Sequence, residues 1–336
     1  MAAAHLQPII LEAKEGLSLI NGTYASTAVA AFATYHAQTL LKAAMIANAL
    51  TMEALRGNQD SLKYALLSLK YSPGTLRSAD YLLRLLKGST AITEGVDPAK
   101  VQDPYSLRCS PQSFGASEDS LFHLTQVMDQ ELNAVSDNPV LIKDKMYFGG
   151  NFNAFHLAEA MDALAISLTN RGVSSESRLR RLLHPRLSGL PAFLTPQPGL
   201  NSGMMILQNT ANDLLNECRI LSTPASVQPA TTSADQEDHV SMAMTAARKG
   251  ARVCDNAERI IAAELLAACQ ALEFQTQGRL GRGTQRAYEI IRMHVPPLQA
   301  DRELHADLTR VYTIVHDGFL IRETEAALEK ALAVTP

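Results

Sequence analysis

Four short polar stretches, each punctuated by glycine or proline or crowded with charge, hold the side chains in this sequence best suited to chemistry. They are Gly16-Leu-Ser-Leu-Ile-Asn-Gly-Thr23, Gln102-Asp-Pro-Tyr-Ser-Leu-Arg108, Gly149-Gly-Asn-Phe152 and Thr232-Ser-Ala-Asp-Gln-Glu-Asp-His239. Each sits between stretches of helical composition, so rigid helix ends could aim its side chains. In the second, Arg108 can clamp a carboxylate through two parallel N–H···O bonds, while Tyr105 and Gln102 offer neutral hydrogen bonds. The plain alternative is a loop held by its own polar groups. In the fourth, Ser233 followed by Gln236 is a capping-box pattern, and Glu237 and Asp238 suit the positive end of a helix dipole. That reading explains the acidity but not why two acids precede His239. In the third, Gly149 and Gly150 permit a tight turn or close approach to a ligand, and Phe152 is core or pocket wall. Asn21-Gly22 is a turn dipeptide by default.

Other constellations point away from common chemistries. Gly278-Arg-Leu-Gly-Arg-Gly283 follows a helical stretch and matches neither a dinucleotide fingerprint nor a phosphate loop. The nine histidines show no HExxH or similar ligand spacing, so no metal site is expected. Cys109, Cys218, Cys254 and Cys269 lie far apart and read as reduced, buried thiols. A net charge of −4, from 30 basic and 34 acidic residues, gives no electrostatic reason for a nucleic-acid or anionic-membrane partner. The cluster Arg171, Arg178, Arg180, Arg181 and Arg186 reads as a solvated or intersubunit face. Glu12, Lys14 and Glu15 spoil a signal-peptide pattern, and the most apolar stretch, 25–41, contains Ser26, Thr27, Thr34, His36 and Gln38. A cytoplasmic protein is expected.

The elements that must position these residues are helical. Apolar residues make up 46% of the 336, rich in alanine and leucine with little Val-Ile-Thr alternation. Helices are expected over about 27–56, 61–71, 76–86, 118–135, 151–170 and 201–221, with an irregular loop over 90–115 and a hairpin over 139–148. Between Pro229 and Gly278 there is no proline and one glycine, Gly250. A helix over 235–275 would run roughly 60 Å and present many alanines for close packing. That length implies an extended bundle and subunit association. The fold class is all-α, an elongated long-helix bundle, with a central bundle over 1–276 and closing helices over 277–336.

Taken in order, GLxLxNGT (16–23), QDxYSxR (102–108), SDNP (136–139), GGNF (149–152), GLNSG (199–203) and TSADQEDHVSM (232–242) resemble the histidine/phenylalanine ammonia-lyase family across practically the whole chain. The resemblance implies a fold of the fumarase/aspartase-like type, a homotetramer with sites shared between subunits, and elimination of ammonia from an aromatic amino acid. It implies an electrophile, 4-methylidene-imidazol-5-one, made from Ala-Ser-Gly. By the same resemblance Asn21 and Tyr105 stabilise that electrophile, Arg108 binds the substrate carboxylate, Gln102 orients the site and Phe152 walls it. Glu237 holds the substrate imidazole and can take part in proton transfer. A carboxylate there, with Pro224-Ala-Ser-Val and Gln236-Glu-Asp-His-Val-Ser, looks like the histidine branch, giving urocanate and ammonia from L-histidine. Asn153 stands where family histidine lyases usually have His, and Asp235 where Asn is common.

Ala-Ser-Gly occurs nowhere, and Phe114-Gly-Ala-Ser-Glu118 has those letters in the wrong order. In the family the electrophile lies upstream of GLxLxNGT. The chain on its own is therefore expected to be inactive, and active when a separate N-terminal chain or segment complements it. The alternatives are a phenylalanine/tyrosine ammonia-lyase or aminomutase relative, a relative that expels a better leaving group without the electrophile, or a non-catalytic structural subunit.

Overall fold

The computed structural model describes residues 7–95, 101–275 and 277–332. Among them the chain forms thirteen α-helices and one two-stranded sheet. The first six helices are α1 (Glu15–Asn21), α2 (Tyr24–Ala54), α3 (Tyr64–Leu67), α4 (Pro73–Leu85), α5 (Tyr105–Arg108) and α6 (Ser110–Leu132). An antiparallel hairpin follows, β1 (Val140–Ile142) and β2 (Lys145–Tyr147), with Leu141 opposite Met146. Then come α7 (Phe155–Leu183), α8 (Pro185–Ser188), α9 (Met205–Leu221), α10 (Ala243–Leu272), α11 (Arg282–His294), α12 (His305–His316) and α13 (Phe319–Leu332). No described helix is long and apolar enough to cross a membrane.

The axis of the fold is α10, 30 residues or about 45 Å long. It packs chiefly against α7, α2 and α9, with α12 alongside. From Asn256 to Ala271 only Arg259 is not fully buried, because alanines on several faces let neighbouring helices close in. Over 256–271 this burial is achieved inside one chain, while Met244, Thr245, Arg248 and Arg252 nearer the start of α10 are exposed. Across the core, Arg178 of α7 forks onto Glu264 of α10, Nε at 2.5 Å and Nη2 at 2.7 Å, with both side chains buried. Thr51 of α2 donates to the same carboxylate at 2.8 Å, so one acid ties three helices.

Several expected boundaries change. The helix expected from 235 starts at Ala243, because Ser233, Ala234, Asp235 and Met242 have φ of 53°, 54°, 67° and 56°. Those left-handed values cannot sit in a right-handed helix. The helix expected from 118 starts at Ser110, with Pro111 in its first turn, where a missing N–H costs nothing. Residues 61–71 form short helical turns, broken where Lys63 is extended (ψ 130°). The helix expected to end near 170 runs on to Leu183 through Gly172, where a Cβ would press within 3.2 Å of Leu215. Of the arginine cluster, Arg171 and Arg178 are buried rather than solvated.

Candidate active site

Asn21, Phe152 and Glu237 line a single cavity of about 690 Å³. Each reaches it by a different route. Asn21 ends α1, a helix anchored where Lys14 Nζ and Ser18 Oγ both donate to Asp137. These bonds to the ionised form hold the Asp137 carboxyl down at about 2. Next to it, Asn138 accepts the Gly149 N–H on its side-chain oxygen at 2.8 Å, and Asn153 N–H closes the following turn on Gly150 O at 2.8 Å. The Asp137-Asn138 pair therefore joins the Asn21 helix to the glycine turn that presents Phe152. Asn138 and Asn153 themselves line the cavity.

Glu237 sits in a tight hairpin-like loop rather than in a helix. Its backbone pairs with Thr232 (N–H to O 3.0 and 3.3 Å), and the Thr232 hydroxyl donates to Glu237 Oε2 at 2.8 Å. The left-handed residues 233–235 make the turn between them. No helix begins at Ser233, so the capping-box reading of these acids has no helix to cap. His239 also lines the cavity, its ring 4.5 Å from that of Phe155. Sequence reasoning assigned no role to Asp137, Asn138 or His239; the SDNP motif was the available signal for the first two.

Gln102, Tyr105 and Arg108 do not line that cavity. Tyr105 and Arg108 lie on α5, with Tyr105 73% exposed and the Arg108 guanidinium 4.7 Å from its ring centre. Gln102 is exposed just ahead of them. Arg178 holds this turn from below, donating from Nη1 to Ser106 O at 3.2 Å. Tyr105 borders a second cavity of about 280 Å³ with Ser110, Ser113 and Arg171. Arg171 is buried, bonds Ser113 Oγ and lies over the Phe114 ring, while its Nε and Nη1 have no hydrogen-bond partner among the described residues. Burial first, then the charge of Arg178, pushes its guanidinium down to about 9. One chain thus brings the six residues into two groups of three.

A family profile described as aromatic amino acid lyase matches residues 1–293. The chain belongs to the aromatic amino acid lyase family. It is similar to a histidine ammonia-lyase of Symbiobacterium thermophilum, 46% identical over 323 residues that make up 96% of this chain and 64% of that relative. A histidine ammonia-lyase of Myxococcus xanthus is 43% identical, again over 96% of this chain and 64% of its own length. Among solved structures, histidine ammonia-lyase from Trypanosoma cruzi superposes with a TM-score of 0.89 at 37% identity, covering 97% of this chain and 62% of that one. This aromatic amino acid lyase chain therefore spans about 64% of the length of the curated relatives it matches.

Proposed function

We propose that this lyase chain acts on L-histidine, releasing ammonia and urocanate, with the electrophile supplied by residues outside these 336. The observation that carries the reading is the Glu237 carboxylate sharing one cavity with Asn21 and Phe152. Likeness to histidine ammonia-lyases at 43% and 46% identity supports it. The donor set fits an imidazolone electrophile, since an uncharged amide at Asn21 can stabilise charge on such a ring without a competing ion. When bound, the 4-methylidene-imidazol-5-one would activate the substrate amine for departure. Glu237 accepts an imidazole N–H and favours the charged ring, and Phe152 forms a wall. Arg108 clamps the carboxylate, Gln102 orients the site, and the Tyr105 hydroxyl faces the electrophile beside Asn21.

Because Gln102, Tyr105 and Arg108 lie apart from the cavity, the proposal includes a second copy that brings them to it, in a homotetramer. Exposed apolar side chains support association: Leu69 84%, Phe148 81% and Tyr71 74%. A cytoplasmic location goes with the reading, supported by four unpaired cysteines, three of them buried.

Glu237→Gln tests the substrate in enzyme completed with the electrophile-bearing segment. A carboxylate facing imidazole contributes a charge-assisted hydrogen bond of about 1.5–3 kcal/mol, on the order of tenfold to a hundredfold in rate. Histidine turnover should fall by that factor, while any phenylalanine turnover stays level or rises. Equal losses on both substrates that track the melting temperature would reduce Glu237 to a structural acid.

A further inference from the structure

His36 of α2, Glu258 of α10 and His316 of α12 converge although they are 222 and 58 residues apart in sequence. Their candidate ligand atoms all lie within 4.8 Å of one another. Glu258 is 1% exposed. Its Oε2 meets His316 Nδ1 at 2.7 Å, while Oε1 faces His36 Nδ1 at 3.9 Å. Among the described residues neither Oε1 nor His36 Nδ1 has a hydrogen-bond partner, and both atoms are fully buried. A buried carboxylate oxygen and an imidazole nitrogen that aim at one another without bonding leave a gap that something polar should fill.

We propose that His36, Glu258 and His316 form a binding site for a divalent transition-metal ion of the zinc type, clasping α12 to α2 and α10. Two imidazoles and a carboxylate are a ligand set such an ion favours, leaving one position for water. With metal–ligand bonds of about 2.0–2.2 Å, tetrahedral ligand atoms stand roughly 3.3 Å apart. The separations of 2.7 and 3.9 Å bracket that value. The imidazole rings stack at 4.1 Å with an 11° tilt, so one ring must turn to put the ion in both ring planes. His316 has the room to do so, being 42% exposed in the last turn of α12, and the metal bond would replace its present bond to Glu258. The adjoining cavity of about 250 Å³ is lined by Asp255 and Glu258 and by no lysine or arginine. The Arg259 guanidinium nearby is engaged, paired with Asp255 at 3.3 Å and lying 4.0 Å over the Tyr312 ring. Tyr312 in turn donates to Asp255 and stacks on His316, backing the ligand from behind. The family match ends at residue 293, so the clasp would fasten a helix beyond it.

The test is Co²⁺ titration of chelator-treated full chain, read by visible d–d absorption, with Zn²⁺ competition and thermal unfolding. One equivalent of Co²⁺ per chain should give the absorption of a four- or five-coordinate ion, and Zn²⁺ should displace it and raise the melting temperature. His36→Asn and His316→Asn, each checked for parent-like helicity, should weaken uptake by about 100-fold or more and abolish the Zn²⁺ melting shift. Absence of saturable uptake by the parent overturns the proposal. So does uptake that both variants retain, which would place the ion on other histidines.

Discussion

The buried fork between Arg178 and Glu264 allows the sharpest quantitative test of how the Tyr105 turn is held. Arg178→Met removes the guanidinium from a carboxylate with no solvent exposure, leaving Glu264 with the Thr51 hydroxyl, at 2.8 Å, as its hydrogen-bond donor among the described residues. An uncompensated buried charge of this kind costs about 3–5 kcal/mol. Glu264→Leu alone should cost a similar amount by stranding Arg178. The double variant removes both charges and fills the space with apolar side chains, leaving two losses: the Thr51 hydroxyl without its acceptor and Ser106 O without its donor. Those amount to about 1–3 kcal/mol against about 6–10 for the summed singles, so the pair should show a coupling energy of at least about 3 kcal/mol. Urea unfolding followed by far-UV circular dichroism measures all four proteins. Hydrogen exchange of the 107–109 amides should quicken in Arg178→Met, since that side chain anchors the turn from Ser106 O. A single variant within 1 kcal/mol of the parent, or a double variant as weak as the summed singles, would refute the account.

Three further outcomes follow from the same structure. Asp137, held at about 2 by Lys14 and Ser18 against an ordinary 3.8, favours the fold above the ordinary value and loses that contribution as pH falls towards 2. Acid titration of stability should be flatter in Asp137→Asn through that window, and a parallel curve would show the pairing to be energetically silent. Arg171→Met should leave stability unchanged or raise it by about 1–3 kcal/mol, because two buried guanidinium nitrogens have no hydrogen-bond partner among the described residues; a clear loss in urea would reveal a counter-anion. The 336-residue chain assayed by itself should form no urocanate absorbance from L-histidine, since the sequence has no Ala-Ser-Gly, and turnover would favour elimination without the electrophile.

Helix content was legible because it rests on local chemistry. Alanine and leucine runs became α2, α7, α9 and α10, and the turn signals around residues 139–148 became the hairpin. The errors gathered at boundaries, where one residue type serves opposite purposes. Pro73 and Pro111 fall outside the expected helices, yet each occupies the first turn of a helix, where its fixed φ helps and its missing N–H is harmless. The helix expected to end near 170 continues past Gly172, whose missing side chain lets α7 approach Leu215 and Ile260. The acidic run before α10 failed for a different reason. Three consecutive non-glycine residues with positive φ are rarely signalled by residue type, and here the Thr232–Glu237 pairing holds them.

The site residues were readable one at a time, but their grouping was not, and the difference is one of range. Gln102, Tyr105 and Arg108 share a seven-residue segment, so their proximity follows from the chain itself. Asn21, Phe152 and Glu237 span more than two hundred residues and meet only because other groups bring their elements together. Asp137 pins α1 while Asn138 pins the glycine turn, and a motif of four letters hides both jobs until the partners are seen. The same logic explains His36, Glu258 and His316. Metal-ligand spacing in sequence works when two ligands share a helix or loop, as in HExxH, and is blind when each of three helices contributes one. Charge reading failed in the same way at Arg178: five arginines within sixteen positions look like a solvated stripe, yet α7 turns this one inward onto an acid 86 residues away. In a bundle whose long helices α2, α7 and α10 pack on one another, the chemistry that matters is assembled between helices, and sequence spacing reports only what lies along one.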